Sequence, residues 1–553
     1  MIRRAVVALT VAAAAALLGV APAGAARFAV GVDPSVPLRS VATHLREYGP
    51  VTRGLAPLHV LVVESPSVRG VRRIDGVRWV EWLGSRKRRV AFVPTDPLAV
   101  KQWYLQQDRA FDFWPEPPID LPPVKIAVVD SGIDVTHPDL ASRIFMARSF
   151  VGGSVADVQG HGTFVAGEIA AATNNAEGIA GMAFPAQLIV AKVVRRDGTI
   201  SLEGEAAAIR WAVDQGAHVI NLSLGGLRDP SNLSRDTYSP LEASAVDYAA
   251  ARGALVVAAV GNSDQAPTSP WPFASYPAAL PHVVGVSSLA RDGSVSVFSD
   301  RDAVYNDIAA PGEEILSTLP RALTRDNGTC DDQGYSDCGP AEFRRSQGTS
   351  FAAPQVAAAA ALLFAQSPSL TASQAGTLLE RTAVDLDSST GCKSCPPLRD
   401  SLSGWGRLDV TAALTALTTA PLPPADRHET NDDVGGHKTR LAGTRGKLTA
   451  TVDYWDDQTD IYAVDLVARR RLTVTLVGAT GTTEHLRLWT PQTRSVFGVS
   501  SRKLSVASST RVGARQRLSY VVPAGRAGRY YLQVRIVRPG AGAYTVSWTK
   551  PTR

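Results

Sequence analysis

At residues 348–357 the chain reads GTSFAAPQVA and runs on into AAAAALLFAQ, which places Ser350 at the mouth of an alanine-rich helix. Thr and Ser favour helix N-termini because their hydroxyls satisfy otherwise unpaired amide groups, so capping alone would account for them. The same place suits a nucleophile, since free N–H groups and the positive end of the helix dipole favour developing negative charge there. A nucleophilic serine needs a base to take its proton, a carboxylate to orient that base and donors for the oxyanion. A candidate for each lies upstream: Asp130 in VVDSGID, His161 in GHGTFVAG and Asn262 in AVGNS. Each pattern alone is common. Together, in the order Asp, His, Asn, Ser, they outline hydrolysis by acyl transfer.

Such residues act only if the fold brings them together. From about residue 124, apolar strand-like runs alternate with helix-like ones: VKIAVVD, HGTFVAGEIAAA, QLIVAKVV, LEGEAAAIRWAVDQG, HVINLSLGG, EASAVDYAAARG and ALVVAAVGN. Strands alternating with helices of this length predict βαβ units and a parallel sheet covered on both faces. Ligands in such folds bind beyond the C-terminal ends of the strands. Asp130, Ser223 and Asn262 all fall at or just past those ends. The fold class expected is α/β, a doubly wound and mostly parallel sheet, followed by a small all-β sandwich. The sandwich is read from DIYAVDLVA, RLTVTLVG, EHLRLWT, RYYLQVRIV and AYTVSWT, after a Pro-rich linker at 417–428.

The first 26 residues have the parts of a secretory signal: Arg3 and Arg4, an apolar stretch from Ala5 to Val20, and the small residues Ala23-Gly24-Ala25. This predicts a secreted chain with no stable membrane insertion after cleavage. Export favours disulfides over zinc for the four cysteines, and sequence neighbours suggest Cys330–Cys338 and Cys392–Cys395. The formal net charge of +6 is concentrated at the start of the chain. Residues 27–93 hold 12 Lys/Arg against 5 Asp/Glu, so without them and the signal the remainder is acidic by about three charges. A nucleic-acid partner has no electrostatic footprint in that remainder.

The signatures VVDSGIDVTHPDL, HGTFVAG, NLSLGG, AVGN and GTSFAAP resemble those of the subtilisin family of serine proteases over about residues 95–416. The resemblance implies a subtilisin-like serine endopeptidase acting on protein or peptide substrates. Asp130, His161 and Ser350 would be its triad, and Asn262 would share the oxyanion with the Ser350 N–H. It also implies a substrate strand paired with Ser223, Leu224 and Gly225, and an S1 pocket walled by Ala259, Val260 and Gly261. Ser275 near its floor is uncharged and favours apolar P1 residues, while Asp264 and Asp300 leave a basic preference open. ATNNAEGIAG at 172–181 resembles the family's calcium loop, implying a structural calcium held by Asn175, by carbonyls of Thr173, Glu177 and Ile179, and by Asp139 and Asp96. Residues 27–93 resemble an inhibitory propeptide, cut within 84–95 to leave a catalytic domain over 94–416. HETNDD and DYWDDQTDIYAVDL make 429–553 similar to a bacterial pre-peptidase C-terminal domain whose acidic clusters suit a second calcium. Two other readings use the same residues: a binding protein on an inactive protease scaffold, and a processing enzyme with a single target. The intact catalytic positions argue against the first.

Overall fold

The computed structural model describes residues 26–83, 92–116, 118–264, 266–324, 342–419, 422–424, 426–434, 439–497 and 504–551. Residues 1–25 of the expected signal segment, the SRKRR run and the pair Cys330 and Cys338 lie outside them.

The chain divides into two compact units. The first carries β1 (Ala26–Val32), α1 (Leu38–Leu45), β2 (Val51–Leu55), β3 (Val60–Ser65) and β4 (Val77–Trp82). The strands form an antiparallel sheet in the order β2-β3-β1-β4. Val41 and Leu45 of α1 pack on Val30, Leu61 and Val63 of the sheet. Strand alternation supplies one apolar face, and the helix covers it.

The second unit is built on seven parallel strands. These are β5 (Val124–Asp130), β6 (Ile144–Ser149), β7 (Ala186–Lys192), β8 (Val219–Leu222), β9 (Leu255–Ala259), β10 (Val283–Leu289) and β11 (Ile308–Pro311). Their order is β11-β10-β9-β8-β5-β7-β6, so β5 lies beside β8 and the winding reverses there. Because both faces are covered, β8 and β9 are buried at every position, and their sequences VINL and LVVAA are apolar everywhere except Asn221. The short α2 (Trp103–Gln107) precedes the sheet, and α3 (His161–Ala170), α4 (Leu202–Asp214) and α5 (Pro240–Ala250) connect its strands. Ser201 and Ser239 cap α4 and α5, each accepting an amide proton from the first turn.

β12 (Ile315–Thr318) and β13 (Phe343–Ser346) pair antiparallel, and α6 (Thr349–Gln366) follows. Sixteen of the eighteen residues of α6 are buried, and it packs on β5, β8, β9 and β10. By length and composition α6 could cross a membrane, but here it is the central helix of a packed core. Its alanines let the helix approach the sheet closely. Leu362, Leu363 and Phe364 each contribute about 1.5–3 kcal/mol of burial. α7 (Ala372–Arg381) starts with a capping box between Thr371 and Gln374. α8 (Val410–Thr419) runs three residues past the expected domain boundary at 416. Cys392 and Cys395 form the expected disulfide.

The C-terminal region contains β14 (Arg445–Asp453), β15 (Thr459–Leu466), β16 (Arg471–Val477), β17 (Glu484–Trp489), β18 (Ser505–Ser509), β19 (Arg515–Val521), β20 (Gly528–Ile536) and β21 (Ala541–Thr549). They form two antiparallel sheets, β14-β21-β16-β19 and β15-β20-β17-β18. Leu448, Val474 and Val546 of one sheet meet Val464, Leu486 and Leu532 of the other in a common core. The second sheet also faces the catalytic region. There a cavity of about 430 Å³ is bounded by Tyr238 and Tyr305 on one side and Arg494 and Tyr531 on the other. The Arg494 guanidinium lies 3.9 Å from the centre of the Tyr238 ring.

Candidate active site

Asp130 ends β5, where the parallel ladder stops and the chain turns away through Ser131 and Gly132. His161 is the first residue of α3. The helix begins close to the strand end because Gly162 has no side chain: a Cβ there would lie 2.4 Å from the Gly132 carbonyl oxygen and 3.1 Å from the Asp130 Cβ. Across this contact His161 Nδ1 meets Asp130 Oδ1 at 2.8 Å and Oδ2 at 3.0 Å. Burial pushes the imidazole pKa down most strongly, but the charge and hydrogen bond of Asp130 together outweigh it and hold the pKa above its ordinary value.

A second carboxylate braces this pair. Asp157 Oδ1 accepts from Ser131 Oγ (2.9 Å) and the Gly160 N–H (2.8 Å), and its Oδ2 accepts from the Thr163 N–H and hydroxyl, both at 2.8 Å. Ser131 Oγ in turn accepts from the Gly162 N–H at 2.8 Å. Asp157 thus satisfies the first turn of α3 from outside the helix, a role the sequence analysis missed. An Asp shortly before a glycine-led helix start was the available signal.

Ser350 is the second residue of α6. Its Oγ donates to the Ser223 carbonyl at 3.1 Å, while Ser223 Oγ donates to the Ser350 carbonyl at 2.7 Å. That carbonyl is free because its helical partner four residues on is Pro354, which has no N–H. Asn221, at the end of β8, donates its side-chain amide to Ser223 Oγ at 2.9 Å. Asn262 follows β9. Its Oδ1 accepts from the Thr349 N–H (2.9 Å) and hydroxyl (2.8 Å), which fixes the side chain and leaves Nδ2 as a donor. Phe351 stacks between His161 and Phe164, with ring centres at 5.4 and 4.5 Å.

A cavity of about 130 Å³ adjoins Ser350, and Leu224, Gly225, Ala259 and Gly261 line it together with Ser275 and Asp300. Val260, expected on the S1 wall, does not line it, and Ser223, expected to pair with the substrate strand, lies outside its lining. Ser223 is committed to Ser350, and Val260 points into the core on the other side of the sheet.

The family model for the subtilase family matches residues 123–406, which include all of these groups. The chain belongs to the subtilase family. Among relatives, thermitase of Thermoactinomyces vulgaris is 35% identical over 306 residues, covering 54% of this chain and 94% of that protein. Subtilisin BL of Lederbergia lenta is 38% identical over 267 residues, covering 48% of this chain and 85% of that one. This subtilase is a subtilisin-like serine endopeptidase with the expected parallel sheet and a C-terminal β domain.

Two acidic sites in the subtilase are candidates for cations. Asp96 and Asp139 are both buried, and Asn175 joins them. Asp96 accepts the Asn174 N–H at 2.7 Å, and Asp139 accepts the Ile179 N–H and Asn175 Nδ2, both at 2.9 Å. Asn175 therefore turns its nitrogen to Asp139, and its oxygen accepts the Glu177 N–H at 2.9 Å. In the β domain Glu429, Asp457 and Asp460 each place a carboxylate oxygen within 4.8 Å of the others. Asp460 Oδ2 accepts from the hydroxyls of Tyr462 and Tyr544. Asp460 Oδ1, Asp457 Oδ1 and Glu429 Oε1 are buried without a hydrogen-bond partner.

Proposed function

We propose that this chain is a secreted, self-processed protease whose triad is Asp130, His161 and Ser350. The observation that carries this is that Asp130 and His161 meet at one strand–helix junction, while Ser350 opens α6 bonded to Ser223 just past β8 and Asn262 follows β9. His161, oriented through Nδ1 by Asp130, takes the Ser350 hydroxyl proton on Nε2 as Oγ attacks the scissile carbonyl. For this step the hydroxyl rotates from the Ser223 carbonyl to His161. Asn262 Nδ2 and the Ser350 N–H, one of the first amide groups of α6 without an intrahelical partner, receive the oxyanion. His161 then returns the proton to the leaving amine, and water releases the acyl group by the same route. The substrate backbone pairs beside Leu224 and Gly225, so that affinity depends little on its sequence.

Residues 27–93, whose described part up to residue 83 belongs to the separate N-terminal unit, serve as an inhibitory propeptide that follows a signal peptide at 1–26 and is removed within 84–95. The catalytic domain spans 94–416 and joins the β domain at 429–553 through the linker at 417–428. Calcium suits both acidic sites by the chemistry of their donors, hard oxygens in a buried setting. Asp96, Asp139 and Asn175 would hold one ion, with the Asn175 amide turned over. Glu429, Asp457 and Asp460 would hold another, and their unpartnered oxygens support that assignment. Bound calcium would neutralise these carboxylates and brace the loops that carry them.

The test compares full-length wild type with Ser350→Ala by intact mass, N-terminal sequence and casein hydrolysis. Loss of roughly the first ninety residues in wild type alone, with activity only there, is the expected result. Equal trimming of both proteins with undiminished hydrolysis by the variant would refute Ser350 as the nucleophile.

A further inference from the structure

Asp300 is 1% exposed, yet it lines the cavity beside Ser350. Ser263 Oγ donates to its Oδ1 at 2.7 Å, and Ser275 Oγ donates to its Oδ2 at 3.3 Å. The carboxylate lies directly behind Gly261. A Cβ built on that glycine would fall 2.3 Å from Asp300 Oδ2 and 2.6 Å from Ser275 Oγ, so no side chain on that wall screens the two groups. A second carboxylate, Asp264, lines the cavity from an exposed position. Among the described residues no Lys, Arg or His side chain lines it.

A buried carboxylate is costly unless a cation or several donors compensate it. Here burial pushes Asp300 up to about 7, the Ser263 and Ser275 hydroxyls hold it down, and Asp264 adds to the push. A hydrocarbon side chain filling the cavity would leave that carboxylate with the Ser263 and Ser275 hydroxyls and the Ser263 backbone but no counter-charge. A long side chain ending in a cation would lay its methylenes along Leu224 and Ala259 and bring its charge to Oδ2. Resting on the active-site reading above, we propose that this pocket selects lysine or arginine at P1, the residue on the acyl side of the scissile bond, with Asp300 as the recognising charge.

The test measures kcat/KM of the full-length protein, as it matures, on matched peptide p-nitroanilides that differ only at P1: Lys, Arg, Leu and Phe. Wild type is expected to favour Lys or Arg over Leu by at least about tenfold. In Asp300→Asn that ratio is expected to collapse by roughly a hundredfold, because the carboxylate partner of the cation is gone. Benzamidine should inhibit wild type competitively and lose potency in the variant. If Asp300→Asn does not fold, the wild-type P1 ratio and benzamidine inhibition decide alone. A wild type that prefers Leu or Phe, or a P1 ratio unmoved by Asp300→Asn, overturns the inference and leaves the protease reading standing. If no substrate is cleaved, or Ser350→Ala cleaves equally well, the protease reading falls and this inference falls with it.

Discussion

Ser223 and Ser350, 127 residues apart, exchange two hydrogen bonds: each hydroxyl donates to the other's carbonyl, at 2.7 and 3.1 Å. The exchange couples the end of β8 to the start of α6. It depends on Pro354, whose missing N–H frees the Ser350 carbonyl. Ser223→Ala leaves that carbonyl unsatisfied and should cost about 1–3 kcal/mol of stability. Pro354→Ala restores a helical donor to it. In the Ser350→Ala background, expected to be inactive, denaturant unfolding of Ser223→Ala/Pro354→Ala should therefore show a loss smaller than the sum of the single losses, by about 1 kcal/mol. Strict additivity would rule the coupling out.

The general base must be neutral to accept the serine proton. Asp130 holds His161 above the ordinary imidazole value of about 6.5. The acid limb of kcat/KM against pH should accordingly have its midpoint above that value. Asp130→Asn should move the limb to lower pH and reduce kcat by about 10⁴. A wild-type limb centred well below 6 would contradict the role given to Asp130.

Glu205 of α4 and Glu242 of α5 are both buried and share a hydrogen bond. Burial raises both, and Glu242 reaches about 7. A folded pKa above the unfolded one means the stabilising protonated form is complete below about 4.3. That contribution is lost as pH rises through about 7. Melting of the Ser350→Ala protein should fall between pH 5 and 8, and Glu242→Gln should flatten that fall. Identical profiles for the two proteins would show that the pair does not set it.

Calcium at the β-domain cluster should be visible as linkage. At a hundredfold excess over Kd an ion bound only by the folded form adds about 2.7 kcal/mol. Added calcium should raise the melting temperature and a chelator should lower it. The shift should shrink in Asp457→Asn/Asp460→Asn, which keeps Asp96 and Asp139 intact. An undiminished shift in that variant would remove the cluster from consideration.

Much of the site was legible in the sequence because each candidate residue closes or opens a local element. Asp130 ends an apolar strand, His161 and Ser350 begin helices, and Asn262 follows a strand, so their types and places were readable from patterns a few residues long. The same holds for the alternation that announces the parallel sheet and for the short strands of the tail. Residues 27–93 were harder, since β2 and β4 are short and largely exposed and carry little periodicity to read. Local sequence determined the candidate residues and on which element each sits. Only the tertiary structure decided the partners: β5 beside β8, Asp157 beneath the start of α3, Ser223 against Ser350, and Asp300 behind Gly261. Apart from Asp157, whose helix partners lie three to six residues on, those contacts join segments tens to more than a hundred residues apart. They arise from the order in which the strands pack, and no local pattern encodes that order.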